Sequence, residues 1–190
     1  MKTLYTPFFI LGLLLSFLSC RAQTLPINTD IDEIPQGAYL KDLNNELTPY
    51  IGTYKTAYQG KEITLYITKQ ENKLEKSTKK TYYMDALIIK YIVKNISTGI
   101  ILQDTYNLSL PHIELYSYWT LPYKNSVVFL YSGTNCRVGW GDIILKKLNP
   151  TQISWDYKPN SRVLRDGDCP GNPDLTVYLP VTKDLIFTKQ

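Results

Sequence analysis

The chain has 190 residues, and 21 lysines and arginines against 17 aspartates and glutamates leave a formal charge of +4. A balance this close to neutral excludes the basic footprint of a nucleic-acid binder and gives no pull toward an acidic partner. Its 16 tyrosines suit half-buried strands, cavity walls and contact surfaces, because each ring is apolar with a polar tip.

Met1-Lys2 supplies a positive start, and Phe8 to Leu18 is an apolar run broken only by Gly12 and Ser16. The run is too short for a bilayer, which takes about 20 apolar residues, and has the length of the apolar part of a secretory signal. Phe17-Leu18-Ser19-Cys20 resembles the lipobox of bacterial lipoproteins, with Phe17 where that motif favours leucine. The resemblance implies acylation of Cys20, a membrane attachment through that lipid, and a periplasmic or outer-membrane place in a bacterial cell envelope. Simple cleavage after Ala22, giving a secreted protein, fits the same stretch. Either reading leaves Cys136 and Cys169 as a pair in an oxidising space. Asn95-Ile96-Ser97 and Asn107-Leu108-Ser109 then read as idle matches to the glycosylation pattern. The expected organisation is a signal over 1–19, a tether or lead-in over 20–45, and one barrel-like domain over 46–190. Arg21 to Asn45 is polar and broken by Pro26, Pro35 and Gly37, and Leu40 to Leu47 is expected to form a short helix plugging one end.

The domain declares itself at Tyr50 to Thr68, where two β-branched and aromatic runs meet at Gln59-Gly60, a tight turn. In the second run Ile63, Leu65 and Ile67 share one face, and Glu62, Thr64, Tyr66 and Thr68 the other: the period of a strand buried on one side. Lys69 to Lys80 lacks apolar periodicity and reads as a solvated loop. Thr81 to Asn95 alternates Leu87, Ile89, Tyr91 and Val93 against Ile88, Lys90, Ile92 and Lys94, with a bulge or break expected near Tyr83-Met84-Asp85. Strands follow over Ile100 to Tyr106, His112 to Thr120 (Ile113, Leu115, Ser117 and Trp119 on one side) and Ser126 to Ser132. A hairpin of Trp140 to Leu148 and Gln152 to Tyr157 turns at Asn149-Pro150, and short strands at Leu175 to Leu179 and Asp184 to Thr188 end the chain. Some 8–10 strands at this spacing predict an all-β protein: an antiparallel up-and-down barrel or strongly curved meander, with a β-sandwich as the alternative.

Cys136 and Cys169 both fall in irregular loops beside that last hairpin, so a disulfide is expected, stabilising by roughly 3–4 kcal/mol through loss of chain entropy. Two cysteines and one distant histidine make an incomplete zinc set. His112 has no nucleophile motif to serve and reads as a strand-end residue. Asp166, Asp168, Gly171 and Asp174 fall on positions of a calcium loop, but Pro170 and Val177 replace required ligands, so turn chemistry is the reading. Glu114, Asp142 and Asp156 are acid candidates by position only. Neither catalysis, a cofactor nor a resident metal is expected.

Pro49-Tyr50-Ile51-Gly52-Thr53-Tyr54-Lys55 resembles the opening strand of the lipocalin and fatty-acid-binding superfamily, with Tyr54 where that family has tryptophan. The whole chain resembles uncharacterised exported β-rich domain families of Bacteroidota-type bacteria. The first resemblance implies a monomeric, non-catalytic binding protein holding a small apolar ligand, with Tyr54, Trp119, Trp140 and Trp155 as candidate contacts. The second implies compartment and fold without chemistry. The alternative function is a structural or interaction module with a filled barrel, contacting protein or polysaccharide through its loops and through Tyr116, Tyr118 and Tyr123.

Overall fold

The Gln59-Gly60 turn is built as expected, with both residues at positive φ (47° and 73°), the geometry whose twist matches flanking strands. In the computed structural model, which describes residues 23–107, 113–160, 164 and 167–190, this hairpin is part of an eleven-stranded sheet. The strands are β1 (Thr24–Pro26), β2 (Tyr39–Lys41), β3 (Gly52–Tyr58), β4 (Lys61–Lys76), β5 (Thr81–Asn95), β6 (Ile101–Asp104), β7 (Leu115–Leu121), β8 (Ser126–Tyr131), β9 (Gly141–Asn149), β10 (Gln152–Tyr157) and β11 (Thr182–Lys189). Eight of them close into an antiparallel barrel in the order β5-β4-β3-β11-β10-β9-β8-β7, with β7 returning to β5. The expected barrel is therefore the architecture, and the sandwich alternative is not. β1 and β2 run parallel to each other and to the start of β5, outside the ring, and β6 pairs with its far end.

Alternation along each strand fills the axis. Tyr54, Ile63, Leu65, Tyr91, Phe129, Leu145 and Phe187 are fully buried in one core, each aliphatic side chain contributing about 1.5–3 kcal/mol relative to exposure. Trp155 sits among them, its ring 5.6 Å from Phe187 and 6.2 Å from Tyr157. Its Nε1–H donates to the Pro180 carbonyl at 2.9 Å, so the one polar atom of the ring is satisfied.

The two ends of the barrel are closed differently. One is crossed by residues 42–51, which drop Leu47 and Tyr50 into the core. The other is covered by Val177, Tyr178 and Leu179 and stapled by the expected Cys136–Cys169 disulfide, Cα–Cα 5.6 Å.

Four sequence expectations are corrected. Leu40 to Leu47 does plug an end but is not a helix: Leu40 lies in β2, and the Asp42 carboxylate takes the Glu46 and Leu47 N–H groups, fixing a turn. Lys69 to Lys80 is strand as far as Lys76, because ladder bonding to β5 requires no apolar side chains and a bulge between Gln70 and Lys73 breaks the alternation. That bulge lies opposite Asp85, where a bulge is expected from the sequence, and β5 itself runs unbroken past it. Its facing is ambiguous in sequence because both sides are buried there: Leu87 points inward, and Met84 packs outward under Ile34, Ala38 and Leu40. In β7 a bulge between Ser117 and Trp119 reverses the facing, so Ser117 is buried inward and Trp119 is not. Leu175 to Leu179 forms no strand: the Thr176 N–H goes to the Asp174 carboxylate instead of a ladder partner.

Candidate functional site

At the end crossed by residues 42–51 the barrel carries a cleft of about 690 Å³. It exceeds the recesses at the β5–β7 seam (about 260 Å³) and beside Tyr178 (about 240 Å³). Glu46, Thr48, Pro49 and Tyr50 form one wall, Thr120, Pro122, Asn125 and Ser126 a second, and Lys147 to Pro150 with Lys189 the third. The local sequence explains the shape. Thr48–Tyr50 is a single 3₁₀ turn with a proline inside it, and Pro122–Lys124 is another, closed by Asn125 in the left-handed conformation. The Tyr50 hydroxyl donates to the Asn125 carbonyl at 2.6 Å and ties these turns together.

Two ammonium groups stand here. Lys147 continues the inward face of Ile143 and Leu145, and its Nζ donates to the Tyr54 hydroxyl and the Pro150 carbonyl, each at 3.2 Å. Lys189 continues the inward face of Phe187, and its Nζ donates to the Ile51 carbonyl at 2.8 Å. They lie 5.5 and 5.8 Å from the Tyr54 ring centroid, cation–π distances. Burial first, and the neighbouring Lys189 charge second, hold the Lys147 ammonium below the usual lysine range. Neither lysine forms an ion pair among the described residues. The carboxylate in the cleft, Glu46, accepts from the Thr120 hydroxyl and the Asn44 carboxamide. Gly52 makes room for the Lys189 stem: a Cβ there would stand 2.5 Å from Lys189 Cε, on a backbone with φ of +146°.

A second polar cluster anchors the strap to the wall. The Asp85 carboxylate is buried and accepts from the Tyr39 hydroxyl, the Asp42 N–H and the Asn72 N–H. Lys69 bridges Asp42 at 3.1 Å and Asp85 at 3.7 Å. Burial alone would raise the Asp85 carboxyl, but these hydrogen bonds and Lys69 outweigh it and hold it below the ordinary range. Burial likewise pulls Lys69 down, and its two carboxylate partners more than offset it. With every member partnered, this is a structural latch.

The four aromatic candidates do not gather round one cavity. Tyr54 and Trp155 are fully buried in the core, Trp119 is half-buried on the outer face, and Trp140 is half-buried with the Arg137 guanidinium 5.8 Å from its ring. Tyr116 is half-buried with Lys73 Nζ 3.6 Å from its ring centroid, and Tyr118 and Tyr123 are exposed. Glu114, Asp142 and Asp156 lie on the outer face, Asp142 and Asp156 on neighbouring strands, with Asp156 accepting the Asp184 N–H at 2.6 Å. Asp174 spends its carboxylate on Thr176 and Tyr178, as turn chemistry requires. Among the described residues no three His, Cys, Asp or Glu side chains converge as a metal set, and no helix is long and apolar enough to cross a membrane. Cys20, His112, Asp166 and the run Phe8 to Leu18 lie outside the described residues. Sequence reasoning missed Lys147 and Lys189, although each prolongs an apolar alternation by one step: Ile143-Leu145-Lys147 and Leu185-Phe187-Lys189.

Over residues 1–190 the chain matches a family of unknown function, DUF6705, and belongs to it. No curated protein and no solved structure matches the chain.

Proposed function

We propose that this member of the family is a non-catalytic binding protein of the bacterial envelope, a lipocalin-like barrel whose ligand sits in the end cleft and not on the axis. The observation that carries this reading is the contrast between an axis occupied by Trp155, Tyr54, Phe129 and Phe187, all fully buried, and an open cleft of about 690 Å³ beside it. A recess of that size, with apolar walls and a few convergent polar groups, is the usual form of a small-molecule site. None of Glu114, Asp142 and Asp156 lines the cleft, which supports a role there without acid–base chemistry.

The envelope assignment rests on the signal-like run before Cys20 and the lipobox resemblance around it. Lipid attachment predicts that Cys20→Ser moves the protein from the membrane fraction to the soluble fraction. Retention of that variant in the membrane would remove the anchor from the account. The binding reading is tested by native mass spectrometry of the protein purified from its own envelope, before and after gentle organic extraction. A mass excess lost on extraction is expected; an unchanged polypeptide mass would point instead to the filled barrel as an interaction module, working through exposed rings such as Tyr118 and Tyr123.

A further inference from the structure

We propose that the cleft recognises an oxyanion, a phosphate or carboxylate head on a partly apolar molecule, held between the ammonium groups of Lys147 and Lys189. The inference deepens the binding reading above and rests on it.

Three observations converge. First, both ammoniums face the same cleft, and neither has a carboxylate partner among the described residues. Elsewhere among the described residues Lys69 is paired with Asp42 and Asp85, Lys73 with Glu75 and Lys55 with Glu62. Second, hydrogen-bond capacity is left over. An ammonium carries three donors; Lys147 spends two within the protein and Lys189 one. Third, the walls offer what the rest of such a molecule needs, with Pro49, Pro122, Leu148 and Pro150 for an apolar body and Thr48 as a further donor.

The charged groups facing Lys147 are Lys189 from β11 and Glu46 from the strap, with Tyr54 and Tyr50 as the neighbouring phenols. Glu46 sets one negative charge against the two ammoniums while accepting from Thr120 and Asn44, so the net charge of the side chains lining the cleft is positive. An anion would relieve the repulsion between the lysines and raise the depressed Lys147 back toward its ordinary range, so binding at alkaline pH takes up a proton.

The test is isothermal titration of the full-length chain with hexyl phosphate, hexanoate and hexanol, in buffers of differing ionisation enthalpy. Hexyl phosphate or hexanoate is expected to bind, with proton uptake, and hexanol more weakly. Losing one charge-assisted contact in Lys147→Gln or Lys189→Gln weakens the anion roughly ten- to a hundredfold. Which of the two anions binds more tightly decides between phosphate and carboxylate. Lys189 is exposed, so its variant folds irrespective of Lys147, and melting curves check both. Leu148→Trp, at an exposed wall position, blocks the cleft. Anion affinity unchanged in both lysine variants, hexanol binding as tightly as the anions, or no binding of either anion overturns the oxyanion proposal. If hexanol binds and Leu148→Trp abolishes it, the cleft reading survives that failure. If Leu148→Trp leaves all binding intact, the cleft itself is the wrong place.

Discussion

The two ends of this barrel perform the same task with different chemistry. At one end a covalent bond between Cys136 and Cys169 holds loops over the core, while Val177 and Leu179 fill the opening. At the other end a strap is held by buried charge: Asp85 gathers Tyr39, Asp42 and Asn72, and Lys69 joins Asp42 to Asp85. A covalent staple works wherever its loops meet, so that end can be filled flush. An electrostatic latch must satisfy each group in fixed geometry, and beyond its last contact the strap leaves a gap against β7–β9 and β11. That gap is the cleft.

The largest effect should come from what both ends share. Trp155→Ala opens a cavity under the whole barrel and should cost about 3–5 kcal/mol in denaturant unfolding; a loss below 1 kcal/mol would mean that the axis is not packed as described. Next, the Cys136→Ser/Cys169→Ser pair should lose roughly 3–4 kcal/mol, since it frees a loop in the unfolded chain, yet leave ligand binding at the opposite end intact. A simultaneous loss of binding would show that the ends are coupled.

Asp85→Ala leaves three donors without an acceptor and should cost about 2–3 kcal/mol. It also sharpens the contrast through pH. The folded Asp85 lies below its unfolded value of 3.8, so its contribution is complete above that value and fades as pH falls through the lower, folded one. Wild type should therefore lose stability below about pH 4, and the variant less steeply. Asp104 and Asp174 are depressed too, by local hydrogen bonds at the stapled end, so some slope remains. The smallest change is Gly52→Ala, which strains a residue at φ +146° and displaces the Lys189 stem. About 1–2 kcal/mol is expected, with weakened anion binding as the sharper readout.

Much of the barrel was legible because period-two alternation and turn chemistry are local. Ile63, Leu65 and Ile67, the Gln59-Gly60 turn and the full span of β5 could be read from neighbours in sequence, and odd-cysteine arithmetic was enough for the disulfide. What failed depended on distant chain. The outward burial of Met84 comes from Ile34, Ala38 and Leu40, some 45 residues away. The reversal of Trp119 comes from a bulge that its own composition does not signal. The cleft needed three walls to meet, so Lys147 looked like an ordinary exposed charge until the position of Tyr54 and Lys189 was known.

On the proposed function the axis is closed and recognition happens beside it. Methyl NMR of isoleucine-, leucine- and valine-labelled protein during titration with hexyl phosphate tests it most directly. The Leu148 methyls should shift, while Ile63, Val93 and Ile143, fully buried on the axis, stay in place. Shifts that spread through those core methyls and spare Leu148 would put the ligand inside the barrel and contradict the claim.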